Sequence, residues 1–93
     1  EAVLDGARTK GMAGYVAAKS AVVALMRSVA DESRDAGVRA NALAPGSIRT
    51  STNVADMGSD ARYVEREHVA DTVAFLCSPA AAAITGQVIR LRA

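Results

Sequence analysis

This sequence has little of what usually holds a small protein domain together. It contains one cysteine, no tryptophan and three aromatic residues among 93, namely Tyr15, Tyr63 and Phe75. A single cysteine excludes an internal disulfide bond, and one cysteine with one histidine is too few for a zinc site. No uninterrupted apolar run reaches about 18 residues, so the sequence predicts no segment that spans a bilayer.

An excess of charge of one sign is lacking as well. Eleven basic residues oppose ten acidic ones, which leaves a formal charge of +1. That balance predicts no electrostatic field strong enough to attract nucleic acid or an anionic membrane. The first residues also lack the basic and then apolar layout of a signal peptide, so we expect a cytoplasmic protein.

The apolar residues that the chain does contain are mainly aliphatic, and many of them are alanine. Apolar residues make up 51% of the sequence and charged residues 23%, which predicts a folded chain rather than a disordered one. Because alanine-rich helices bury little area per residue, we expect a core of this size to be only marginally stable alone.

The patterning predicts helices that alternate with short strands. The chain should open with a polar connection that includes a strand end at 2–4, followed by a helix at 13–36 that Gly37 ends. A strand at 38–43 and a polar loop at 47–60 come next. The second half should contain a possible short helix at 61–66, a helix at 67–77, a possible helical turn at 80–83 and a strand at 87–91. Two strands joined through a helix imply a parallel βαβ unit, and therefore an α/β fold.

The first helix is apolar over more than one face. Such a width is typical of a helix with two packing partners. A buried core helix and a contact between subunits are both consistent with it.

Tyr15 and Lys19 are four residues apart on this helix, so their side chains should share one face. An ammonium close to a phenol favours the phenolate, which suits a group that exchanges protons near neutral pH. A tyrosine and a lysine at this spacing are also common on helices that catalyse nothing, so the pair alone decides little.

Three blocks of sequence add a resemblance to the pair. They are Tyr-Val-Ala-Ala-Lys-Ser-Ala-Val-Val-Ala-Leu at 15–25, Gly-Val-Arg-Ala-Asn-Ala-Leu-Ala-Pro-Gly-Ser-Ile-Arg-Thr at 37–50, and His-Val-Ala-Asp-Thr-Val-Ala-Phe-Leu-Cys-Ser-Pro with Ile-Thr-Gly-Gln-Val-Ile at 68–79 and 84–89. In this order they resemble the short-chain dehydrogenase/reductase family, nearest to its 3-oxoacyl-thioester reductases. The resemblance implies the C-terminal half of a Rossmann-like, doubly wound parallel sheet.

The resemblance also implies an oxidoreductase that moves a hydride between NAD or NADP and a carbonyl or secondary alcohol. Tyr15 would be the general acid/base. Lys19 would hold the nicotinamide ribose and favour the phenolate form of Tyr15. No residue here indicates whether the cofactor is NAD or NADP, and none suggests a metal.

Further site residues follow from the same resemblance. Pro45 and Gly46 would let the backbone pass close to the nicotinamide, where a side chain would collide. Ile48 would contact the carboxamide through its main chain, and Thr50 would use its hydroxyl there or on a phosphate. The variable substrate loop would begin at Ser51, and its expected apolar contacts are Val54, Met57 and Tyr63.

Other residues are expected to be structural. Asn41 should tie down neighbouring backbone, His68 should lie at a helix start, and Cys77 should be a core residue.

Parts of the family pattern are missing. Gly6, Gly11 and Gly14 do not form the glycine turn that holds a pyrophosphate, and the position of the family's catalytic serine falls near Ala2. We therefore expect residues 1–93 to be the C-terminal part of a single domain whose dinucleotide-binding half is absent.

Two functions remain open at this point. The first is the oxidoreductase, which acts on a small carbonyl or alcohol and forms a dimer or tetramer through the Tyr15-bearing helix. The second is a truncated, non-catalytic relative that uses the same helix as a dimerisation module.

Overall fold

A computed structural model describes residues 10–93 as three α-helices, two 3-10 helices and a short two-stranded parallel sheet. In chain order the elements are α1 (Ala13–Glu32), a 3-10 helix (Arg34–Ala36), β1 (Ala42–Pro45), α2 (Ser51–Met57), α3 (Arg66–Leu76), a second 3-10 helix (Pro79–Ala81) and β2 (Val88–Leu91). The expected strand end at 2–4 lies outside the described residues. The α/β class is confirmed.

Helix α1 ends slightly earlier than its pattern predicts. It runs for 20 residues to Glu32, after which Arg34–Ala36 tighten into a 3-10 turn. Gly37 then adopts a φ of 73°, in the left-handed region that favours glycine, and reverses the chain as predicted. The 3-10 turn explains the difference, because it satisfies the last carbonyls with tighter bonds.

The two strands pair in parallel, as the βαβ pattern predicts. Ala42 lies opposite Val88 and Pro45 lies opposite Leu91. Strand β1 begins four residues later than predicted. The reason is that residue 40 pairs with a turn instead of a strand: its amide donates to the Thr85 hydroxyl at 3.3 Å, and its carbonyl accepts from Gly86 at 2.7 Å.

Asn41 holds that turn against the start of the sheet. Its Nδ2 donates to the carbonyl of Ile84 at 3.0 Å, and its Oδ1 accepts from the amide of Gln87 at 3.0 Å. The structural role predicted for Asn41 is therefore confirmed.

We expect Asn41→Ala to lower the free energy of unfolding by about 1 kcal/mol, since it leaves the amide of Gln87 without a partner among residues 10–93, while the carbonyl of Ile84 keeps its bond from Arg39. Thermal and urea unfolding of the natural full-length protein measure this. Gln87→Ala is the matched control, because the side-chain amide of Gln87 is exposed and donates one local hydrogen bond, to the carbonyl of Thr85. Equal losses in the two variants would contradict the role of Asn41.

The segment predicted as a loop at 47–60 contains a helix, so that prediction is wrong. Thr50 caps α2 by accepting a hydrogen bond from the amide of Asn53 at 3.1 Å. The short helix considered at 61–66 is also wrong. That stretch is extended up to Glu65, because Val64 pairs with Ile48 in an isolated parallel bridge.

Helix α3 agrees with its prediction to within one residue, and the helical turn expected at 80–83 forms at Pro79–Ala81. The prediction that Cys77 lies in the core is wrong: its side chain is exposed. The last buried residue of the helix is Leu76, and Cys77 follows it as the C-terminal cap.

Helix α1 buries little of its wide apolar surface against the rest of the described chain. Only Met26 and Ala30 are buried along it, whereas Val22 and Leu25 are 56% and 65% exposed. Ala30 lies against the turn at Gly86. Among residues 10–93, the helix therefore lacks the second partner that its sequence predicts.

The expectation that no segment is apolar enough to span a bilayer needs a correction. Helix α1 is long enough, and an 18-residue window within it has a mean hydropathy of 1.2. Polar residues interrupt the apolar run in this helix, but the mean hydropathy over the window stays high despite them. Length and composition alone are weak grounds for a span, because core helices of soluble proteins meet the same criterion.

Candidate active site

Tyr15 and Lys19 lie together on the first turns of α1, as their spacing predicts. The Nζ of Lys19 is 5.8 Å from the centroid of the Tyr15 ring. Tyr15 is 51% exposed, and its hydroxyl makes no hydrogen bond within the part of the chain that the structure describes. The arrangement offers a phenol that is accessible to a ligand, with an ammonium beside it.

A second group of predicted site residues follows the end of β1. Pro45 and Leu91 form the last pair of the parallel sheet, and the amide of Gly46 donates to the carbonyl of Leu91 at 2.9 Å. Both strands thus end at the same edge. Ligands of open α/β sheets bind at this carboxyl edge, so the residues that follow Gly46 are well placed for a ligand.

The backbone around Ile48 leaves one donor without a partner. The carbonyl of Ile48 accepts from Asn53 Nδ2 at 2.7 Å and from the amide of Thr50 at 2.8 Å. The amide of Ile48 donates no hydrogen bond to any of residues 10–93. A half-buried N–H without a partner fits an acceptor on a ligand, such as a carboxamide oxygen.

Thr50 uses its hydroxyl oxygen as the cap of α2, which leaves the hydroxyl proton to donate elsewhere. The donors of Ile48 and Thr50 therefore fit the carboxamide and phosphate groups of a nicotinamide dinucleotide.

The three residues predicted to touch substrate lie in different surroundings. Val54 lines a cavity of about 540 Å³ between the first turns of α2 and α3. Met57 is 51% exposed at the end of α2. Tyr63 is only 5% exposed, and its single hydroxyl proton is shared between the carbonyls of Asn53, at 3.2 Å, and Gly58. A substrate contact of these residues stays a prediction.

Hydrogen bonds connect the predicted site residues that follow β1 to one another. Within residues 10–93 they do not connect these residues to the pair formed by Tyr15 and Lys19. Hydrogen bonds link Ile48, Thr50 and Tyr63 through Asn53. None of the hydrogen bonds, ion pairs or ring contacts found within residues 10–93 links this group to Tyr15 or Lys19. No cluster of metal-ligating side chains was found within that same part of the chain.

Sequence reasoning missed three residues that shape this region: Arg49, Asn53 and Glu65. Asn53 was detectable, because a threonine three residues before it is a typical helix cap. The ion pair between Arg49 Nε and Glu65 Oε1, at 2.9 Å, spans 16 residues and has no local signal.

The parallel βαβ unit, with polar donors at the carboxyl edge of its strands, is typical of the Rossmann-like dehydrogenases. A family model described as Enoyl-(Acyl carrier protein) reductase matches residues 4–91. The chain therefore belongs to the short-chain dehydrogenase/reductase family.

Individual relatives agree with this assignment. The 3-oxoacyl-[acyl-carrier-protein] reductase FabG of Staphylococcus aureus (strain Mu50 / ATCC 700699) is 37% identical over 101 residues, which cover 96% of this chain and 40% of that protein. A solved short-chain type dehydrogenase/reductase from Mycobacterium ulcerans is 40% identical with a TM-score of 0.74, over 82% of this chain and 32% of that one.

A further solved structure, a 4-hydroxyisoleucine dehydrogenase complexed with NADH, is 25% identical with a TM-score of 0.74, over 86% of this chain and 38% of that one. The chain spans 36% to 40% of the length of the first curated relatives that it matches. These curated relatives are oxidoreductases whose chains are more than twice as long as this one.

Proposed function

We propose that the protein carrying this chain is an NAD(P)-dependent oxidoreductase that interconverts a carbonyl and a secondary alcohol. The observation that carries the proposal is the exposed Tyr15 hydroxyl with Lys19 Nζ 5.8 Å from its ring, in a member of a dehydrogenase family. A phenol without a hydrogen-bond partner among residues 10–93 is available to a substrate oxygen, which a structural tyrosine would not need to be.

Tyr15 carries the proton in this proposal. During reduction its O–H donates to the substrate oxygen as the carbonyl becomes an alcohol, and during oxidation its phenolate oxygen accepts that proton back. The positive charge of Lys19 favours the phenolate and binds the ribose hydroxyls. The nicotinamide, when bound, supplies or accepts the hydride.

The residues after β1 hold the dinucleotide. The amide of Ile48 donates to the carboxamide, the hydroxyl of Thr50 donates to the carboxamide or a phosphate, and Pro45 and Gly46 allow a close approach of the backbone. The partnerless amide of Ile48 supports this role. NAD and NADP both remain candidates.

The proposed substrate is a 3-oxoacyl thioester, in keeping with the Staphylococcus aureus relative. Val54, Met57 and Tyr63 are its proposed apolar contacts. Residues 1–93 form the C-terminal part of one Rossmann-type domain, which acts in the cytoplasm as a dimer or tetramer formed through α1.

Titration of the natural full-length protein with NADH and NADPH, followed by turnover of a 3-oxoacyl and an enoyl thioester, tests the proposal. We expect binding of one dinucleotide and oxidation of it only with the 3-oxo compound. Turnover of the enoyl thioester alone would refute the substrate class, and absence of dinucleotide binding would refute the enzyme.

A non-catalytic dimerisation module is the second candidate. Val22, Leu25 and Val29 recur at helical spacing on α1, and all three side chains are exposed among the described residues. Sedimentation distinguishes the two functions when it is combined with the titration above: stable oligomers that bind no dinucleotide would favour the module.

A further inference from the structure

The segment that carries α2 is closed at its base by backbone hydrogen bonds. The amide of Arg49 donates to the carbonyl of Val64 at 2.9 Å, and the amide of Val64 donates to the carbonyl of Ser47 at 2.8 Å. Residues 48–64 therefore leave the sheet edge and return to it at one point. The two proposed dinucleotide contacts, Ile48 and Thr50, lie in the stretch between these hydrogen bonds and the start of α2.

The side chain of Arg49 spans the same base. Its Nε donates to Glu65 Oε1 at 2.9 Å, and its guanidinium carbon lies 4.8 Å from the centroid of the Tyr63 ring. The hydroxyl of Tyr63 in turn shares its proton between the carbonyls of Asn53 and Gly58, near the beginning and just after the end of α2. Arg49 thus connects the stretch that leads into α2 with the stretch that follows it and, through Tyr63, with α2 itself.

The chemistry of these contacts is specific to arginine and differs from an ordinary surface pair. A planar guanidinium pairs with a carboxylate while it stacks on an aromatic ring, which a lysine ammonium reproduces poorly. The side chains of Arg49 and Glu65 are 42% and 41% exposed, so both are partly shielded from solvent. Another ion pair within residues 10–93, between Arg34 and Asp31, is 70% and 77% exposed and joins residues only three apart.

We propose that Arg49, with Glu65 and Tyr63, is a positioning residue that sets the backbone of Ile48 and Thr50 for dinucleotide binding. The inference rests on the proposed function for the identity of the ligand. Arg49 touches neither substrate nor reacting atoms in this role. Its loss therefore weakens binding of the dinucleotide and leaves the chemical step largely intact.

The test compares Arg49→Met and Glu65→Gln with the charge-swapped double variant Arg49→Glu/Glu65→Arg in the natural full-length protein. We expect Arg49→Met, which loses both the ion pair and the stacking, to raise the dissociation constant and KM of the dinucleotide about tenfold, and Glu65→Gln about threefold, with kcat changed less than about twofold in each. The double variant restores the ion pair but not the stacking on Tyr63, so it should recover only part of the affinity lost in Arg49→Met. Arg34→Met is the matched control and should leave the affinity unchanged.

Hydrogen exchange without dinucleotide gives a second measure that needs no enzymatic activity. The amides of Arg49, Val64 and α2 should exchange faster in both single variants and return toward the rate of the unmodified protein in the charge swap. Unchanged exchange and affinity in Arg49→Met, or an equal loss in Arg34→Met, would overturn the positioning role. A failure of the unmodified protein to bind dinucleotide refutes the proposed function, while the exchange rates still decide whether Arg49 positions the segment.

Discussion

Tyr15→Phe is expected to abolish turnover, with kcat lowered by about 10²–10⁴-fold, the range usual for the loss of a general acid or base. The hydroxyl is the group that exchanges the proton with the substrate oxygen, and phenylalanine has none. The ring remains beside Lys19, so the helix face keeps its shape. Steady-state kinetics of the natural full-length protein with a 3-oxoacyl thioester measure the loss.

Stability and dinucleotide affinity are the controls for Tyr15→Phe. The side chain is half exposed and its hydroxyl has no hydrogen bond among residues 10–93, so its removal strands no buried partner. We therefore expect the melting temperature and the dissociation constant of the dinucleotide to stay close to those of the unmodified protein. Normal turnover in this variant would refute the acid/base role.

Lys19→Met is expected to lower kcat/KM by about 10²–10³-fold, as the loss of one preorganised charged donor does in other active sites. Two effects combine in this prediction. The ammonium no longer favours the phenolate, and the ribose hydroxyls lose a partner, so the dissociation constant of the dinucleotide should rise together with the fall in kcat. Titration and kinetics on one preparation separate the two effects.

The sequence offers a matched control, because Lys10 is its only other lysine and is also exposed. Lys10→Met removes the same charge three residues before α1 begins. We expect unchanged kinetics from it. An equal loss in both variants would show that net charge matters, and the specific role of Lys19 would then be wrong.

Together with Arg49→Met, these variants divide the proposed site by step. Tyr15 acts on the chemical step, Lys19 on both chemistry and binding, and Arg49 on binding alone. This division follows from where each side chain lies: the first two share one exposed face of α1, whereas the third lies at the base of the α2 segment.

Local patterns in the sequence were enough for the α/β class, the parallel pairing, helix α3 and the turn at Gly37. Each depends on residues within a few positions of one another, such as apolar spacing along one helix or a glycine at a positive φ. The family assignment was predictable for the same reason, because its motifs are short and retain their order along the chain.

The segment from 47 to 65 was not predictable in this way. Its polar composition resembles a loop, yet α2 forms there, and the stretch expected to be helical extends so that Val64 can pair with Ile48. The late start of β1 likewise follows from the bonds of Ala40 to Thr85 and Gly86, which are more than 40 positions away.

The physical reason is the distance over which each preference acts. Helix propensity, capping and turn geometry are local energies that a stretch of sequence carries with it, and they established the class, most helix limits and the pair formed by Tyr15 and Lys19. The partnerless amide of Ile48, the ion pair of Arg49 with Glu65 and the exposure of Cys77 depend on which distant segments meet, and only the folded chain decides that.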